Sequence, residues 1–190
     1  MYYLSGKEYD EIVKEVISLY EDYVLNSFPI DVKALATAMG FVLKPYSSLQ
    51  KEERGFLLQK EETKNGFHIC DISKGYPKYT ICYNDLDQEP RWRHTIAHEI
   101  GHIVLKHGSN PTKSQEAAVD YFAKQLLALS CIIIEMGLRS VEEIVYRFNI
   151  SWESAFYTYK SIMKRREKFG DSIMDYEKEF IEWIRRWLPS

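Results

Sequence analysis

Residues 94–107 read HTIAHEIGHIVLKH and hold four of the chain's five histidines, His94, His98, His102 and His107. His98 and His102 are four apart, so on a helix both imidazoles lie on one face, about one turn from each other. Two rings so placed can each aim a nitrogen at one ion about 2.0–2.1 Å away, the distance zinc prefers. Glu99 stands between them and leans to the side of that face, within reach of a water at the ion without being a ligand. Such a group can hydrolyse: the ion polarises a carbonyl and the carboxylate takes a proton from water.

The pattern is the HExxH arrangement of zinc peptidases. Ile96, Ala97, Ile100, Ile103 and Val104 make the segment a buried helix. A buried neutral histidine pair beside a glutamate is costly unless something satisfies it. Catalytic zinc also needs a third protein ligand and an open position. In the longer motif HExxHxxGxxH the glycine and third histidine would fall on Leu105 and Gly108, and His107 is one residue short. His94 shares the His98 face one turn further back, too far along the axis to converge on the same ion, and reads as structural or cleft-lining.

A third ligand is available downstream, in Glu116–Ala117–Ala118–Val119–Asp120. Glu116 and Asp120 share a helix face. A glutamate from a second helix closing on a histidine pair is the gluzincin arrangement, and Asp120 can then accept the free ring N–H of one histidine. The alternative is an ordinary acidic helix N-terminus. For the developing oxyanion a second electrophile is normally wanted; His94, Tyr83 and Tyr121 are the candidates, each also readable as a packing residue.

The elements that must position these groups follow from periodicity and punctuation. Residues 7–26 place Ile12, Val16, Leu19 and Tyr23 at helical spacing, and VKALATAMG is a short second helix stopped by Gly40. From Phe41 to Tyr83 the runs FVLKPY, GFLLQK, GFHIC and YTICY are β-prone and divided by Gly, Pro and charge, which predicts three or four strands. Pro90 opens the histidine helix, expected to end near Gly108. The loop GSNPTKS leads to the helix QEAAVDYFAKQLLAL. SVEEIVYRFN and SWESAFYTYKSIMKRREK form a further helix pair around Asn149–Ile150–Ser151, and the tail YEKEFIEWIRRWL is an aromatic amphipathic helix. The fold class expected is α+β, a small mixed or antiparallel sheet of three or four strands packed on the HExxH helix and further helices. Residues 1–137 read as a zincin-like domain including the N-terminal helices, and 138–190 as a helical extension packed on it.

Composition narrows the setting. The chain has 190 residues, 45% of them hydrophobic, enough for a sizeable core without staples,. A net charge of −3 gives no global attraction to nucleic acid or anionic membrane,. Cys70, Cys82 and Cys131 are odd in number, far apart and set in apolar runs, which fits buried reduced thiols,. The N-terminus has no apolar signal-peptide core and LLALSCIII is too short to span a bilayer, so a cytoplasmic protein without membrane contact is expected. A DNA- or protein-binding regulator with a structural metal site is the alternative. The helix pair at 140–162 has a helix-turn-helix rhythm followed by Lys164–Arg165–Arg166,. Trp152, Phe156, Tyr157 and Tyr159 occupy the second helix where a recognition helix would carry Arg, Asn or Gln. Direct nucleic-acid binding is therefore not expected, and KRRE reads as a solvated helix end.

From FPIDVKALATAMG through YNDLDQEPRWRHTIAHEIGHIVLKH to EAAVDYFAKQLLAL and VEEIVYRFNISWESA, about residues 28–165, the sequence resembles the ImmA/IrrE family of metallopeptidases. The downstream pattern E-x3-D-x-F-A-x2-L-L makes the likeness far more specific than HEIGH alone. The resemblance implies His98, His102 and Glu116 as metal ligands and Glu99 as the base. Ala118 stands where many members carry another acidic residue, which leaves Glu116 as the only nearby glutamate. Ser130 replaces a frequent proline, and His94 a frequent aromatic residue. It implies zinc as cofactor, with manganese also accommodated by His₂Glu. It also implies a protein substrate, a helix-turn-helix repressor cleaved to relieve repression in mobile elements or stress responses.

Overall fold

A computed structural model of the chain describes residues 4–108, 110–170 and 172–188. Ser5 starts the first helix, α1 (Gly6–Asp22), in a reciprocal cap with Glu8,. Val13, Val16, Ile17 and Tyr20 form its buried face. Asp31 accepts from the amides of Lys33 and Ala34 and so caps α2 (Val32–Ala38),. The chain then makes β1 (Val42–Pro45), α3 (Lys51–Gln59), β2 (Gly66–Asp71) and β3 (Lys78–Tyr83).

The sheet is mixed and ordered β1–β3–β2. β3 runs parallel to β1, with Val42 opposite Thr80, and antiparallel to β2, with His68 opposite Ile81. Three strands lie within the expected number, but GFLLQK is not one of them. It is the C-terminal part of α3, a helix with no buried side chain. Glu52 and Glu53 complement its N-terminus,. A short apolar run with no sheet face to lie on has nothing to select an extended chain. Cys70 also departs from expectation: it is exposed, whereas Cys82 and Cys131 are buried. It sits on the outer strand β2, beyond the cover that β3 receives.

Four further helices lead to the C-terminal part: α4 (Glu89–Val104), α5 (Lys113–Leu127), α6 (Ser130–Glu135) and α7 (Val141–Phe148). α4 carries Pro90 in its first turn and stops at Val104, short of Gly108, because Lys106 takes a left-handed conformation at φ 56°. α5 has a capping box between Thr112 and Gln115,. Ser109, in the loop between α4 and α5, lies outside the described residues. α4 and α5 pack tightly because Gly101 has no Cβ. A methyl there would meet Phe122 Cδ1 at 2.8 Å and Val119 Cγ1 at 3.1 Å.

Ile96, Ile100, Phe122, Leu126 and Phe148 are fully buried around this contact. Tyr20 donates its hydroxyl hydrogen to the Leu126 carbonyl at 2.9 Å and so ties α1 to α5. Arg93, also buried, donates to the carbonyl of Ile30 at 2.9 Å, which fixes the start of α4 against the α2 side of the molecule. Residues 113–135 are long and apolar enough to cross a bilayer by composition. They are split at Ala128 between α5 and α6, and Phe122, Leu126, Leu129, Ile132 and Ile133 are core.

The chain ends with α8 (Trp152–Phe169) and α9 (Lys178–Ile184). Asn149 takes the left-handed position between α7 and α8 at φ 49°. Arg165 is not part of a solvated helix end. Its guanidinium makes a two-point ion pair with Glu177, whose side chain is 2% exposed. The sequence hides this because the partner is twelve residues away across a bend.

Candidate active site

α4 and α5 bring His98, His102 and Glu116 to one point. Nε2 of His98 and Nε2 of His102 are 3.1 Å apart. Glu116 places Oε2 at 3.4 Å from the first and Oε1 at 3.6 Å from the second. Three ligands of a tetrahedral ion at about 2.0–2.1 Å would stand about 3.3 Å from one another. The donor set therefore fits a small divalent cation, and among the described residues these three form a cluster able to hold one.

Each candidate ligand ring is held from behind. Nδ1 of His98 lies 3.1 Å from Oδ1 of Asp120. An ionised carboxylate only accepts, so Nδ1 carries the hydrogen and Nε2 presents its lone pair to the centre. His102 is backed by His107, with the two Nδ1 atoms 3.3 Å apart. The left-handed turn at Lys106 bends the chain back, and the His107 amide bonds the His102 carbonyl at 2.9 Å. His107, one residue short of a ligand position in the sequence, supports a ligand instead.

The electrostatics suit a site that takes a cation. Burial and the neighbouring Asp120 and Glu99 push the Glu116 carboxyl up, against the effect of His98. Burial works against a charge on His98, but Asp120, Glu99 and Glu116 outweigh it and hold its pKa above the usual value. His102 goes the other way, down to about 4, through burial and the nearby His98. Three carboxylates converging on two imidazoles repel one another unless a cation sits among them.

Glu99 is buried on the same helix, and its Oε2 meets Nδ1 of His68 at 2.7 Å. His68 is the fifth histidine, absent from the sequence-based candidates. It sits on β2, which lies against α4 because Gly66 allows it: a Cβ there would collide with Thr95 Cγ2 and stand 2.6 Å from the Cys82 carbonyl oxygen. No spacing rule links His68 to a glutamate 31 residues later. Only its alternation on a strand preceding the HExxH helix marks it.

His94 lines the cleft, with its ring centroid 6.2 Å from that of His98. Burial and His98 lower its pKa to about 4. Tyr83 and Tyr121 are not in the cleft. Tyr83 is buried against Trp92, with Lys33 over its ring. Tyr121 packs edge-on against Tyr9 of α1 at 4.6 Å. Both rings are drawn inward by their apolar area, and their helix and strand positions leave the hydroxyls nothing to do at the cluster.

The cluster opens into a cleft of about 1070 Å³, walled by β2 on one side and by α5 and the loop before it on the other. Asn65, His94 and Thr95 also line a second groove of about 650 Å³ between α4, α5 and the start of α8, where Trp152 and Tyr157 stand exposed. Two of the aromatic residues of the helix pair, Trp152 and Tyr157, thus line a groove that adjoins the cleft at His94.

Residues 53–159, more than half of the chain, match the family model described as the IrrE N-terminal-like domain of peptidase family M78. No curated protein and no solved structure matches the chain.

Proposed function

Because the chain belongs to the IrrE N-terminal-like family of metallopeptidases and is thus a metallo-endopeptidase, we propose that it uses zinc to cut a helix-turn-helix repressor in the cytoplasm. The observation that carries the reading is the convergence of His98, His102 and Glu116, with the two Nε2 atoms 3.1 Å apart and one Glu116 carboxylate oxygen within 3.4 Å of the first and the other within 3.6 Å of the second. A set of two imidazoles and one carboxylate suits zinc and accommodates manganese. When bound, such an ion polarises the scissile carbonyl and makes water acidic enough to lose a proton near neutral pH.

The chain's own residues supply the rest. Asp120 and His107 fix the ligand rings. Glu99 accepts the proton of the attacking water and passes it to the leaving amine. β2 is the outer strand of the sheet and runs along the cleft with no partner on its far side among the described residues. An extended peptide can pair with such an edge and present its carbonyl to the cluster. The two adjoining grooves that share His94 support a polypeptide rather than a small substrate. The repressor as substrate rests on the family likeness. The cytoplasmic setting is supported by three cysteines, none of them paired,.

The test uses the metal-loaded protein and the purified helix-turn-helix protein encoded nearest to its gene. One new cut by mass spectrometry with wild type, and none with Glu99→Gln at equal metal content, is expected. Equal cutting by Glu99→Gln would sink the mechanism. No cut by wild type, with about one zinc per chain, would remove the repressor as substrate.

A further inference from the structure

We propose that His68 is a positioning residue of this reaction, holding the Glu99 carboxylate by one oxygen and joining it to the strand that receives the substrate; this rests on the peptidase reading above. The 2.7 Å contact joins Nδ1 to Oε2 across two elements. Both side chains are largely withdrawn from water, at 18% and 10% exposure, so solvent competes little for the bond,. With Nδ1–H donating to Oε2, the other carboxylate oxygen is left for the water. A base that must accept and return a proton on one face gains from having its second oxygen fixed.

The place of His68 adds a second argument. It lies mid-strand on β2, paired opposite Ile81, with Gly66 holding the strand onto α4. Both residues line the same cleft. A peptide pairing with β2 therefore docks on the element that also fixes the base, so scissile carbonyl and Glu99 share one frame. His68 acts here by donating a hydrogen bond, and the role asks for no change in its protonation.

The substitutions to make are His68→Ala, His68→Asn and His68→Gln, each loaded with zinc. The probe is a quenched fluorescent peptide built around a bond that wild type, but not Glu99→Gln, cuts in a proteome-derived peptide library. His68→Ala is expected to lower kcat about 100-fold, the scale of a misplaced catalytic group, with KM within about twofold. Zinc content and Tm should stay at wild-type values. The Asn amide N–H stands where Nδ1–H stood, so His68→Asn should recover to within about tenfold of wild type, while His68→Gln, reaching instead to the Nε2 place, should not. A His68→Ala kcat within twofold of wild type overturns the proposal, as do equal Asn and Gln variants or a loss that follows zinc content.

An arm without catalysis separates this from the function itself. In metal-free protein with ¹⁵N-labelled histidine, the His68 Nδ1 signal should move in Glu99→Ala. An unmoved signal means the contact is absent, and the proposal falls whatever the cleavage data. A moved signal with no peptide cut by wild type would sink the peptidase reading and His68's part in a reaction together.

Discussion

Nδ1 of His98 and Oδ1 of Asp120 are 3.1 Å apart, joining a histidine of the α4 cluster to a carboxylate one turn beyond Glu116 on α5. The bond fixes the ring's tautomer and raises the basicity of the nitrogen that faces the cluster. Asp120→Ala should weaken zinc binding about 10- to 100-fold without unfolding the protein, read by competition with a chromogenic chelator. Unchanged affinity would mean that Asp120 is only a surface acid near a histidine.

Metal removal should be visible as lost stability. A ligand that binds only the folded chain, at about 100 times its Kd, adds about 2.7 kcal/mol. For a chain of this size that raises Tm by roughly 5–10 °C. Wild type should show the rise on adding zinc and lose it with a chelator. Glu116→Ala should show little of either, because two imidazoles alone hold zinc weakly. A full rise in Glu116→Ala would reassign the third ligand.

Glu177→Ala should strip the C-terminal helix of its anchor. Arg165, 16% exposed in the intact pair, would lose its carboxylate and keep, among the described residues, only the Ser172 carbonyl, which costs about 3–5 kcal/mol,. Thermal unfolding should move down by roughly 6–20 °C. Glu177→Ala unfolding at the wild-type temperature would show that solvent reaches Arg165.

The histidine helix, the small sheet of at least three strands and the His98–His102 pair were legible because each leaves a local periodic mark. The spacing of four put His98 and His102 on one face, while Glu116, a candidate on the next helix picked out by the family resemblance, is brought to them by the packing of α5 on α4 at Gly101. What stayed hidden depended on contacts between distant segments. His68 stands alone in an apolar run, and its partner is fixed only when β2 meets α4. Arg165 reads as one charge in a basic cluster until a bend returns Glu177 to it. GFLLQK is ambiguous between helix and strand over so few residues, and Tyr83 and Tyr121 carry the same hydroxyl whether they serve a cleft or fill a core.

His94 sets a pH dependence in the metal-free protein. Its pKa falls from an ordinary 6.5 to about 4 through burial and the adjacent His98. Between those values the unfolded chain binds a proton there and the folded chain does not. Stability is therefore fully present above about pH 6.5 and declines as pH falls towards 4. His94→Gln should lose less stability than wild type between pH 7 and pH 5, measured by urea midpoints. His102, lowered in the same direction, keeps the slope from vanishing. Parallel curves for the two proteins would show that His94 is hydrated in the fold.

The outer position of β2 has a cost beyond the reaction. A row of backbone donors and acceptors open to solvent does not discriminate between a substrate strand and the β2 of another copy. Ile69 in the strand and Ile72 just beyond it, 49% and 71% exposed, would make such self-pairing sticky. The strand is only six residues long and ends on the charged Asp71, both of which limit aggregation through it. Solubility and access to the cleft thus depend on the same six residues, and covering that edge to gain one would close the other.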